Sequence, residues 1–282
     1  MLKLAVIKYC AYTMKKIYLL AGIALLLSGC KKDTIQTLIK PTSAENEITA
    51  PDTKEYRQEE EASKMDGTYL SDTYLSNIQK RHSIYAAKDT ESYIFGFTLH
   101  KDSLITKTPL LEGFSNHEGG INANLKFNPE KSRFENDLSR NGEFDYFTKP
   151  FVINFTEGKY ADIVFKNPLK TERYRKVTDI ESALRELIAG NYIEPTSNRR
   201  FTFMTDGTMK GVPGSGYFEL SFEFQEGLPF DAIFMGDTQE SKNQIEYHYK
   251  IEGNTLTLYN LTGNHEAGEY IIGKPAYILV KQ

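Results

Sequence analysis

The sequence contains no tryptophan and only two cysteines, Cys10 and Cys30. Long apolar runs are also missing. The stretch from Ile17 to Leu27 falls well short of the roughly 20 residues a bilayer-spanning helix needs. It follows Lys15 and Lys16 and ends at Ser28-Gly29, the pattern of a secretory signal read from Met14 and covering residues 1–29. Removing it takes Cys10 away and leaves Cys30 alone, which excludes a disulfide within the mature chain. Excess positive charge is absent as well. The leader carries four lysines and no acid, so its loss moves the net charge from −4 to about −8. A chain of that sign has no electrostatic footprint for a phosphate backbone, and nucleic acid is excluded as a partner.

The usual catalytic signatures are lacking too. No H-E-x-x-H or G-x-S-x-G occurs in the sequence, and Gly211–Gly216 (GVPGSG) lacks the Lys-Ser/Thr that grips phosphates and precedes a strand pattern. The five histidines, His82, His100, His117, His248 and His265, show no metal-ligand spacing. Two echoing loops, NHEGG with His117 and Glu118 and NHEAG with His265 and Glu266, are the weak candidates for a ligand or metal contact. Their glycines put them in turns, where such side chains bond local backbone. Acid pairs such as Asp231 and Asp237, or Glu219 and Glu223, are what strand alternation produces without any glycosidase chemistry. The expectation is a non-catalytic protein with no cofactor and no metal.

What is present is aromatic: 18 Tyr and 17 Phe, concentrated in period-two segments. Phe218, Leu220, Phe222 and Phe224 alternate with polar residues. IEYHYKIEGNTLTLY reads as a hairpin turning at Gly253-Asn254, RRFTFMTDGTMKGV as another at Asp206-Gly207, and FDAIFMGD and AYILVK complete about seven short strands. The first half offers YIFGFTL, SLITKT, INANLKF, FVINFTEG and KYADIVFK. Helices are expected over about Asp72 to Arg81 and from Thr178, with Glu181 closing a capping box, to Gly190. Both halves read as a helical lead-in, a Gly-x-Tyr (Gly67-Thr68-Tyr69 and Gly190-Asn191-Tyr192), then strands. The motif also occurs at Gly158 and Gly268, so the suggested duplication rests on the order of elements. The fold class is mainly β (α+β), with two antiparallel barrel or sandwich domains over 65–177 and 178–282. Residues 30–64, polar and charged, read as a tether whose end from Lys54 to Lys64 is rich in helix formers.

LLLSGCKKD, Leu25 to Asp33, resembles the lipobox of bacterial lipoproteins and, in Lys31, Lys32 and Asp33, the start of Bacteroidota lipoproteins. The resemblance implies a lipid on Cys30 and outer-membrane attachment, with the periplasmic and cell-surface faces both open. NHEGG, FDAIFMGD and EYHYKIEGNTLTLY look like uncharacterised lipoproteins of that group. The pattern is also similar to lipocalin-like domains, with Tyr69 and Tyr192 where those carry Trp. That resemblance implies a barrel holding a small hydrophobic molecule or a glycan. The alternatives are a structural or interaction subunit of an outer-membrane assembly and, more remotely, a glycan hydrolase.

Overall fold

The computed structural model describes residues 53–90, 94–115, 119–140, 147–222, 228–263 and 268–282, and one compact unit spans Thr49–Gln282. Helix α1 (Thr53–Met65) leads into β1 (Gly67–Ser71), α2 (Asp72–Arg81), a 3-10 turn (Tyr85–Ala87), β2 (Gly96–Leu99), α3 (Lys101–Leu104), β3 (Leu110–Phe114), β4 (Gly119–Asn128), β5 (Arg133–Asn136), β6 (Phe151–Thr156), β7 (Tyr160–Lys166) and β8 (Leu169–Val177). These eight strands form a closed antiparallel barrel in sequence order, sealed where Thr68 to Ser71 pair with Val177 to Tyr174. One seam is thin: β5 and β6 share the single pair Glu135↔Val152. The buried Asn136 side chain supplements it, its Nδ2 donating to Lys149 O at 2.9 Å and its Oδ1 accepting from Phe151 N at 2.7 Å.

The second half repeats the plan. Helix α4 (Ile180–Arg185) leads into β9 (Gly190–Glu194), β10 (Arg199–Phe203), β11 (Met209–Lys210), β12 (Tyr217–Leu220), β13 (Ala232–Gly236), β14 (Ile245–Glu252), β15 (Thr255–Thr262) and β16 (Ile271–Lys281). The first strand again pairs with the last, β9 with β16. β11 and β12 meet only through the Thr208↔Tyr217 bridge and bonds such as Phe218 N to Gly207 O at 2.8 Å.

The two Gly-x-Tyr openings are one device used twice, at a constant offset in numbering. Tyr69 OH donates to Met65 O at 3.0 Å and Tyr192 OH to Ile188 O at 2.8 Å, tying each lead-in to its first strand. Lys176 on β8 pairs with Tyr69 and holds its ammonium 5.9 Å from that ring; Lys281 on β16 pairs with Tyr192 at 5.8 Å. Gly67 (φ +138°) and Gly190 (φ +148°) adopt a backbone that side chains avoid, and a Cβ on either would come 2.6 or 2.7 Å from the lysine Cε. Burial pushes the Tyr192 phenol up to about 12 and raises that of Tyr69 too, so both stay neutral donors.

Each sheet encloses an aromatic and aliphatic core. In the first, Tyr69, Phe97 and Tyr174 pack at 5.0–5.1 Å. The second core is not made by the second half alone. Tyr74 and Ile78 of α2, with Ile84, Ala87 and Phe95, belong to the same cluster as Tyr249, Leu256 and Leu279. Asp231 fixes this contact: its carboxylate accepts from Ser83 Oγ, from Tyr85 N at 2.8 Å and from Tyr249 OH at 3.3 Å. A third cluster, Leu70, Leu75 and Ala183, joins β1, α2 and α4.

Several expectations change. The SLITKT segment is not a strand: α3 and its following turn occupy it, with Leu104 buried and Lys101 N donating to Asp66 Oδ1 at 2.9 Å. The strand begun at Tyr217 stops at Leu220, short of Phe222, while Phe224 lies outside the described residues. The α4 cap is Asp179, not Thr178, its carboxylate accepting from Ser182 N at 2.6 Å. The folded body also begins before Met65, because α1 buries Ala62 and Met65 in the first core.

Candidate functional site

Alongside α1 runs a groove of about 710 Å³, within the size range of small-ligand sites. Its helical wall is Lys54, Glu55, Gln58 and Glu59; the opposite wall is Ile105 to Lys107 with Pro109; its floor is Leu125, Lys126 and Phe127, with Asp137 beside it. Local bonds hold these walls. Gln58 Nε2 donates to Leu104 O at 2.7 Å and Lys101 Nζ pairs with Glu59 at 3.2 Å, bracing α1 against α3. Thr106 closes the next turn, its Oγ1 donating to Ser103 O at 2.7 Å and accepting from Thr108 N at 3.1 Å. Leu125 N donates to Pro109 O at 2.8 Å, and Phe127 packs on the buried Phe134 with centroids 5.1 Å apart.

The lining is electrically balanced, three lysines against three carboxylates. It therefore selects for neither sign of charge. A half-buried ring in the floor, flanked by amide, ammonium and carboxylate groups, offers stacking beside hydrogen bonds of both polarities.

Of the residues singled out from sequence, the described ones do not line this groove. Cys30, His117, Glu118, His265, Glu266 and Glu223 lie outside the described residues. His82 ends α2 in a left-handed conformation, and His100 lies 3.8 Å from Glu112. His248 Nδ1–H donates to Asp231 O at 2.8 Å and sits in a row of half-exposed rings with Phe230, Tyr259 and Tyr270. Asp231 is engaged by Ser83, Tyr85 and Tyr249, while Asp237 sits in a turn, held low by Ser241 and the Thr238 N–H. Among the described residues no group of three His, Cys, Asp or Glu could hold a metal ion. Sequence reasoning missed the groove; its only early trace was the helix-forming composition of 54–64.

Compared with known proteins, the chain matches no family model, no curated protein and no solved structure.

Proposed function

We propose that this is a lipid-anchored protein of the bacterial cell envelope, held at the outer membrane through Cys30. It acts without catalysis by binding a glycan in the groove beside α1. The lipobox-like LLLSGCKKD and the acidic mature chain support the location. The groove carries the ligand reading: a polar, charge-balanced cleft with Phe127 in its floor suits an uncharged, hydroxyl-rich ring better than the small apolar molecule that the lipocalin-like pattern also suggests.

Calorimetric titration of the protein with neutral oligosaccharides tests it. Binding to one class, weakened about tenfold or more by Phe127→Ala through lost stacking, is the expected result. Affinity unchanged by Phe127→Ala, or no binding across a broad oligosaccharide set, would remove the groove from consideration.

An interaction subunit is the second reading, and one observation favours it. β16 pairs with β9 only at Val280 and Lys281, so much of its edge projects past the barrel with Ile271 and Ile272 exposed. Lys274 and Pro275 blunt that edge against casual pairing. A stoichiometric partner retained on purification from membranes, and lost on charging Ile271, is the result that would favour this reading over the glycan.

A further inference from the structure

Beside the C-terminal half of α1 lies a second cleft, of about 380 Å³, also within the size range of small-ligand sites. Its charge differs from that of the groove. Lys64, Lys131 and Arg133 line it against Glu61 alone. Lys64 is already held by Glu60 and Glu61 at 3.0 and 2.9 Å, so the cations open to a ligand are the two beside the β4–β5 turn. That turn is built to present them: Asn128 Oδ1 accepts from Lys131 N at 3.2 Å, and Ser132 takes a left-handed backbone (φ +44°) that side chains seldom adopt.

Arg133 is oriented and only half used. Its Nε and one Nη both donate to Glu135 Oε1, at 2.9 and 2.8 Å. Glu135 thereby takes the side edge of the guanidinium and leaves the end edge, one N–H from each Nη, without a partner among the described residues. Glu135 is also one carboxylate among three cations. Burial tends to raise it, but the hydrogen bond and charge of Arg133, with the charges of Lys166 and Lys131, hold it below its ordinary range. The hairpin therefore keeps positive charge in excess on a chain that is acidic overall.

The rest of the lining is apolar with a polar rim. Met65 and Ile153 are buried, Phe155 is half-buried with its ring edge-on to Tyr69 at 5.8 Å, and Asn154 adds an exposed amide. We propose that this cleft binds an acidic sugar, its carboxylate on the end edge of Arg133 and on Lys131, its ring against Phe155 and a hydroxyl on Asn154. A planar carboxylate matches a guanidinium edge in two parallel hydrogen bonds, and a sugar ring has an apolar face for an aromatic one. The proposal does not rest on the groove, whose balanced lining favours a neutral ring.

Backbone nitrogen–proton NMR of the full chain, titrated with glucuronate and with glucose and sulfate as controls, tests it. A saturable shift at residues 131–133 and 154–155 is expected with glucuronate, about tenfold tighter than with either control. Arg133→Lys keeps the charge but loses the planar edge, and should weaken glucuronate about tenfold, the worth of a hydrogen bond between charged groups, with sulfate little changed. Equal affinity for glucose would make the cations irrelevant, and equal affinity for sulfate would make the cleft a bare anion trap. Either result, or no shift with glucuronate, overturns the proposal. Shifts confined to the groove around Phe127 overturn it too while supporting the groove, so the two readings fail separately. The native chain supplies the primary readout, so a variant that does not fold leaves the test intact.

Discussion

The two barrels share a frame and differ in what closes it. Each uses a Gly-x-Tyr first strand, a lysine from the last strand over the tyrosine ring, and a lead-in whose carbonyl accepts from that tyrosine. The first barrel fills its core from its own strands, α1 and α3. The second accepts side chains from the long connection between β1 and β2, where its own β9–β10 turn is only four residues, 195–198. The shared device defines the barrel; the borrowed segment makes the pair one body.

The largest test of that difference is Ile84→Ala. Ile84 is fully buried in the second core although the chain places it in the first half. Truncation should cost about 2–5 kcal/mol, and hydrogen exchange should show the loss in β13 and β14 as well as beside the mutation. Chemical denaturation should remain one transition. Two separable transitions, with β13 and β14 untouched by the change, would break the idea of a shared core.

How much of this was visible in the sequence follows the range of the forces. The β14–β15 hairpin, α2 and the two Gly-x-Tyr openings were legible because they rest on contacts within a few residues: a glycine turn, a Ser71 cap accepting from Tyr74 N, an alternation of Tyr and Ile. β8 escaped notice because LKTERYRKV buries only Glu172 and Tyr174 and looks like a charged surface. Its Tyr174 OH donates to Glu172 Oε2 at 2.7 Å, so the two residues the strand buries satisfy each other. α1 read as the end of a tether because it buries only Ala62 and Met65, its other ties being the polar contacts of Gln58 and Glu59 with α3. The groove and the Asp231 contact join segments far apart in sequence, so no local period announced them.

A smaller effect probes what the barrels have in common. Gly67→Ala and Gly190→Ala should each cost about 1–3 kcal/mol, the strain of a side chain in that backbone region. The two losses should agree closely, since the lysine beyond each glycine stands at the same distance. Thermal melts of the two variants give the comparison. A loss at only one site would mean that the repeated geometry carries unequal load.

The smallest effect separates the barrels by acid. In the first, burial tends to raise Glu135, but the hydrogen bond and charge of Arg133, 2.8 Å away, outweigh it and leave the carboxyl below its ordinary range. Its folded form therefore binds a proton less readily than the unfolded chain, and the stability it contributes above that range is lost as pH falls through it. In the second, Glu219 is raised, so its contribution has the opposite sign: full below the ordinary glutamate range and lost as pH climbs above it. Both carboxylates are partly solvated, which keeps the two terms small. Melting curves of Glu135→Gln and Glu219→Gln against pH resolve them by direction. Relative to the native chain, the first variant should gain ground as acid is added and the second as it is removed. Slopes of the same sign would show that the difference between the two interiors does not extend to their carboxyl groups.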